Sequence, residues 1–356
     1  MPPASHSAET APFAEPGRWR AFTTVGALAA AALFAVLFGF VLATDPYGRR
    51  VGTGRAPSPI MDINQRYMYP QLVRSGRFDS AVFGTSTARL LDPKALDVAL
   101  GGHFANLAIN AGTPWEQVQL ARLLLRHVPA PRTLVFGLDR TWCDPDADQP
   151  GQRVTFRSFP PWLYDEDPLN DLPHLLNLKT LEIAGRVALN RLGRMPARIR
   201  EDGYEVFTPP EASYDLARAR AHLRARAPGI EAPVGPGARL PAIAWLAELA
   251  ATLPVETRMV VLFPPLYVGS QPKAGSDGAA ADERCKQEVA AALRPRRALV
   301  LDYRLPSGLA SEETNFWDSL HYRLPIAARI VEDIRAGLAE PRTAEDGRYR
   351  ILSPQR

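Results

Sequence analysis

The sequence predicts an α/β fold, a parallel sheet of about five strands covered by helices, carried behind one N-terminal transmembrane helix. Three observations lead there. Residues 21–44 form an apolar run without a single charge. Beyond it, five short apolar segments bounded by turn residues recur along the chain. Between them lie stretches with apolar residues three and four apart, the rhythm of strand–helix–strand units that build a parallel sheet.

The first run reads AFTTVGALAAAALFAVLFGFVLAT. At the helical rise it is long enough to cross the ~30 Å hydrocarbon layer. Phe38, Phe40 and Val41 continue almost to its end, where a cleaved signal peptide would carry a small-x-small site, so an uncleaved anchor is expected. Arg18 and Arg20 precede it and Arg49, Arg50 and Arg55 follow, so basic residues do not choose which end faces the cytoplasm. Residues 1–20 open with a stretch rich in Pro, Ala, Ser and Glu and are read as a disordered tail.

Residues 45–77 supply a polar linker around DPYGRRVGTGRAPSP and a lead-in helix, and 78–340 the soluble domain. Its strands are expected at 81–84, 103–108, 133–137, 259–263 and 298–302, and its covering helices at 115–128, 240–252, 282–293 and 325–338. Residues 143–237, rich in Pro, Arg and Tyr, break this rhythm and read as a large insertion between the third and fourth strands, with helical pieces such as LPHLLNLKTLEIAGRVALNRL. Residues 341–356 are expected to be a C-terminal tail.

Composition excludes several classes. The 42 basic and 38 acidic residues nearly cancel, no basic run is interleaved with aromatics, and nucleic acid is not an expected partner. Cys143 and Cys285 are far apart and in no metal-ligand spacing, so no metal and no cofactor is expected. They are read as two separate buried thiols, with a disulfide open only if the domain lies outside the cytoplasm.

In an open parallel sheet, ligands bind beyond the carboxyl ends of the strands, so the loops there are where chemistry is expected. GTSTAR after the first strand holds Ser86 on a tight turn, where a hydroxyl is either an exposed nucleophile or a helix cap. NFWDSLHYR, before the last helix, sets Asp318 and His321 three residues apart. His321 can deprotonate Ser86 while Asp318 orients the imidazole; a turn-capping Asp beside a surface His is the alternative. Arg89 is either a guide for an anionic substrate or a solvated arginine at a helix start. Trp115 and Trp317 neighbour the candidate loops and could stack on a sugar ring, with core packing as the default.

These blocks, in this order, resemble the SGNH family of ester hydrolases and acyl transferases. The resemblance spans most of residues 78–339 and implies a three-layer, flavodoxin-like domain. GTS and DSLH stand where the family carries its nucleophilic serine and its Asp-x-x-His pair. The second family block looks like NLAINAGTPWEQ, which makes Gly112 an oxyanion-hole donor alongside the Ser86 backbone. The third block, Gly-x-Asn-Asp in the family, reads GLDR here, with Asp139 in the place of the oxyanion-donating Asn.

With its single N-terminal membrane helix the chain looks most like bacterial cell-envelope proteins of alginate O-acetylation and lipoteichoic acid D-alanylation. That resemblance implies a single-pass inner-membrane protein with a cytoplasmic tail and its domain in the periplasm. Its implied activity is an O-acyltransferase or esterase of an envelope polysaccharide or glycoconjugate, with a membrane-embedded acyltransferase as partner. The missing Asn, together with Thr85 in the place of the Asp of the family's first block, motivates the alternative, a catalytically degenerate binding or assembly protein.

Overall fold

An unbroken apolar helix, α1 (Pro16–Thr44), opens the computed structural model, which describes residues 16–50, 56–224 and 237–352. The expected tail at 1–15, linker residues 51–55, insertion residues 225–236 and the final residues 353–356 lie outside those described. Helix α1 takes in residues 16–20, within the stretch expected to be a tail. With a mean hydropathy of 2.6 and little of its apolar stretch buried, α1 is long and apolar enough to cross a membrane. Its last turns behave differently: Val41 and Thr44 are buried, and Phe38 and Leu42 pack against the core.

The soluble part alternates strand and helix. The lead-in α2 (Gln65–Arg74) is capped by Asn64, and β1 (Ser80–Phe83) follows. Next comes α3 (Pro93–Leu100), a helix beyond the four expected, which Asp92 caps and Pro93 begins. After β2 (Phe104–Asn106), α4 (Pro114–His127) opens with a capping box between Thr113 and Glu116. β3 (Thr133–Gly137) leads into the insertion, which carries α5 (Leu178–Arg191) and α6 (Leu216–Arg224) among short 3₁₀ turns. The chain resumes with α7 (Pro241–Thr252), β4 (Arg258–Phe263), α8 (Asp277–Leu293), β5 (Leu299–Asp302), the single turn α9 (Gly308–Ser311), α10 (Leu324–Ala339) and β6 (Arg350–Ile351).

The sheet order is β2-β1-β3-β4-β5-β6. The first five strands are parallel; β6 pairs antiparallel, Leu301 opposite Ile351. The about five parallel strands expected are thus all present, and β6 makes the sheet mixed and six-stranded by adding an antiparallel strand within residues 341–356, where only a tail was expected. Two residues give no periodic signal; Arg350 fixes them instead through ion pairs to Asp302 and Glu283.

Side chains alternate across each strand, so one face takes Phe83, Phe136, Val261 and Phe263 and the other Val82, Val135, Val260 and Leu262. The first face packs on α2, α4, α7 and α8, and the second on α3 and α10. Helices thus cover both faces and the architecture has three layers.

The insertion does two structural jobs. Asn106 N–H donates to Asp202 O at 2.8 Å, so the segment around Asp202 covers the outer edge of β2. Gly203, at φ +82°, runs so close that a Cβ there would lie 2.1 Å from Asn106 O. At its start, Cys143 forms a disulfide with Cys285 of α8, the Cα atoms 5.7 Å apart. This corrects the expectation of two separate thiols: a separation of 142 residues conceals that the exit of β3 lies beside α8.

Candidate active site

The chain crosses from β1 to β2 by α3 on one face and from β2 to β3 by α4 on the other. Loops leaving β1 and β3 therefore diverge and leave a crevice at the carboxyl ends of those strands, the topological switch point. Ser86 sits there. Gly84, at φ +149°, allows the approach, because a Cβ on it would stand 2.5 Å from Ala88 Cβ and 2.9 Å from Gly137 O. The chain then tightens into a turn in which Thr85 O accepts from Ala88 and Arg89 N–H. Within residues 81–91, Ser86 alone escapes burial.

The facing wall is the loop between α9 and α10. Phe316 bridges Tyr322, and Trp317 N–H donates to His321 O at 2.9 Å, which folds residues 316–322 back on themselves. Asp318 Oδ1 accepts from the N–H groups of Leu320 and His321, both at 2.8 Å. Asp318 Oδ2 lies 2.8 Å from His321 Nδ1, and His321 Nε2 lies 2.8 Å from Ser86 Oγ.

A carboxylate on Nδ1 assigns the proton there, which turns the lone pair of Nε2 toward the serine hydroxyl. Burial pushes the Asp318 carboxyl up, but the hydrogen bond and charge of His321 and the two backbone donors outweigh it and hold the group below its ordinary value. Tyr322 locks the walls together, its hydroxyl donating to Thr87 O at 2.6 Å.

Sequence reasoning on Ser86, His321 and Asp318 thus named three side chains that the fold brings into one hydrogen-bonded line. Other candidates fall differently. Gly112 lies in the turn after β2, where Ile109 N–H donates to Gly84 O, but its own N–H already donates to Ile109 O at 2.9 Å. In this arrangement Gly112 is not a free donor. Asp139 caps a 3₁₀ turn, its carboxylate accepting from Thr141 N–H and hydroxyl, so it is an acceptor committed to local structure. Neither Ser86 nor Thr87 N–H has an acceptor among the described residues.

Arg89 is neither solvated nor open to an anionic ligand: it is buried, ion-paired with Glu205, and its guanidinium lies 4.5 Å over the Phe207 ring. Phe207 in turn meets the His321 ring edge to face at 5.3 Å. Trp115 packs on Phe159 and lines a cleft with Arg153 and Trp245, apart from the serine turn. Trp317 packs on Tyr214 and, with Asp318, walls a cavity of about 170 Å³ whose other side is Pro209, Ser213, Arg218 and His222 of the insertion.

No protein-family model and no curated protein matches this chain. Its own geometry must carry the functional reading. The described residues hold no cluster of three His, Cys, Asp or Glu suited to a metal ion.

Several residues that build the site escaped the sequence reading. Asn106, fully buried, donates to Ala88 O at 3.0 Å and Leu91 O at 2.9 Å and accepts from Ala108 N–H, fixing the segment behind Ser86. Arg66 of α2 is equally buried, pairs bidentately with Glu116 and donates to Asn110 O and Ala111 O, clamping the turn after β2. Asn106 lies inside the NLAINAG block and could have been noticed; nothing marks Arg66 or Phe207.

Proposed function

We propose that this protein is a membrane-anchored, serine-dependent acyl-ester enzyme, an O-acyltransferase or esterase acting on a cell-envelope polysaccharide or glycoconjugate. The observation that carries the reading is the continuous line Ser86 Oγ, His321 Nε2, His321 Nδ1, Asp318 Oδ2, each contact 2.8 Å, at the crevice of a doubly wound sheet. Ser86 Oγ attacks the ester carbonyl carbon and passes its proton to His321 Nε2. Asp318 holds the imidazole and stabilises its charged form. The departing alcohol takes that proton, and water or a sugar hydroxyl, deprotonated by the same histidine, then releases the acyl group from Ser86. The Ser86 and Thr87 N–H groups are the donors available to the oxyanion.

The envelope setting rests on the SGNH resemblance, with the domain in the periplasm, α1 in the inner membrane and a membrane-embedded acyltransferase as partner. The Cys143–Cys285 disulfide supports a compartment outside the reducing cytoplasm. Turnover of an acetyl ester by the full chain, compared with Ser86→Ala, tests the activity; equal rates in the two proteins would overturn it.

A second reading has its own observation. Asp139 presents a carboxylate where the family carries a donor, and the Gly112 N–H is already bonded. With two oxyanion donors missing, the fold would serve as a binding or assembly protein. That reading predicts full genetic complementation by Ser86→Ala and His321→Ala, whereas the catalytic reading predicts none.

A further inference from the structure

The junction between α1 and the domain is a packed interface. Val41 is 1% exposed inside the same core as Ile183, Ala184 and Val187 of α5. Arg191, the last residue of α5, reaches Ala43 O and Ser58 Oγ, while Thr180 near its start meets Tyr47 Oη at 3.0 Å. Along α5, then, the contacts run from residue 47 of the anchor segment back to residue 43, so the carboxyl end of α5 points toward the exposed part of α1. The chain leaves α5 in that direction and returns at Ile199, which bridges Ile60.

The loop between these points reads Leu192-Gly-Arg-Met-Pro-Ala-Arg198. Leu192 is 68% exposed, and Leu189 just before it is exposed too. The side chains of Arg194 and Arg198 have no hydrogen-bond or ion-pair partner among the described residues, although most arginines of this domain are engaged. An exposed leucine followed by two unengaged arginines matches a bilayer interface, where apolar side chains enter the acyl boundary and guanidinium groups meet lipid phosphates.

We propose that the loop 192–198 docks on the headgroup layer of the bilayer that α1 spans, with Leu192 inserted and Arg194 and Arg198 on anionic lipid. The inference rests on α1 spanning the membrane and is independent of the chemistry at Ser86. Its consequence is that the domain is held at two points and keeps one fixed face to the membrane, so a substrate must reach the crevice from a defined side. The attraction of each arginine to an anionic leaflet corresponds to about a fivefold change in the ratio of docked to undocked domain.

Single-site labelling tests this on the full chain, because the described residues hold no free cysteine. An environment-sensitive fluorophore is attached to Leu192→Cys, to Val25→Cys within α1 and to Val98→Cys on the exposed side of α3, each reconstituted in nanodiscs with doxyl-labelled phosphatidylcholine, with and without phosphatidylglycerol. Docking predicts quenching at positions 192 and 25 but not 98, and a loss of quenching at 192 in Arg194→Glu/Arg198→Glu that is larger when phosphatidylglycerol is present. Quenching at 25 with position 192 behaving like 98 would overturn the docking while leaving the anchor intact. No quenching at 25 would overturn the spanning reading and the docking with it.

Discussion

Replacing Asp318 by Asn probes the orientation of His321 with little change in shape. Asn Oδ1 can still accept from the N–H groups of Leu320 and His321, each now at 2.8 Å from the carboxylate. Its NH₂, however, would face His321 Nδ1, where Asp318 Oδ2 now lies at 2.8 Å. Two donors cannot meet, so the imidazole shifts its proton to Nε2 and presents N–H to the Ser86 hydroxyl that it must deprotonate. Loss of the orienting carboxylate in this way is worth ~10⁴ in rate, about 5.5 kcal/mol of transition-state stabilisation. Folding stability should change by less than about 1 kcal/mol, because the Asp318 side chain is 40% exposed and its hydrogen bond with the neutral His321 imidazole is open to solvent. The assay pairs acetyl-ester turnover with a urea titration of the same preparation. A variant that keeps more than about a tenth of wild-type turnover would refute the assigned tautomer, and an equal loss of stability and rate would reduce Asp318 to a structural residue.

Other consequences can be measured alongside. The Asn106 amide has two N–H groups shared among Ala88 O, Arg89 O and Leu91 O and an oxygen that accepts from Ala108 N–H, so Asn106→Ala removes the equivalent of three buried hydrogen bonds at about 1 kcal/mol each, and thermal unfolding should fall by about 6–12 °C; an unchanged Tm would contradict the role given to that side chain. Reducing the Cys143–Cys285 bridge, which closes a loop of 142 residues, should cost about 5 kcal/mol on the chain-entropy scale, read as a lower urea midpoint in reductant. Burial raises the Asp282 carboxyl, but the charges of Arg304 and Lys286 lower it further, so its folded value sits below the ordinary one. It therefore contributes stability above the unfolded carboxylate value of about 3.9 and loses it as pH falls through the folded value; the urea midpoint of wild type should drop there, and Asp282→Asn should flatten that drop.

How much of this was legible in the sequence depended on where the information lay. The five parallel strands and their four main covering helices announced themselves because burial on both faces demands apolar runs and helical spacing leaves a period. Strand β6 left none, being two residues long and held by Arg350. Ser86, His321 and Asp318 were readable because each is polar on a loop at a strand or helix end, where such chemistry is expected. Arg89 misled for a physical reason: beside a turn an arginine is usually solvated, and only the return of the insertion with Glu205 and Phe207 buries it. Gly112 stood in the right turn, yet which way an N–H points depends on backbone torsions that residue identity does not specify. The Cys143–Cys285 contact is likewise a product of tertiary topology.

The most direct test of the central claim is covalent. A fluorophosphonate is applied to the full chain and to its Ser86→Ala and His321→Ala variants, and adducts are counted by intact mass. An activated serine predicts one adduct on wild type, none on Ser86→Ala and slower labelling of His321→Ala. Equal labelling of wild type and Ser86→Ala, or none on a folded wild-type protein that also fails to turn over an acetyl ester, would contradict it.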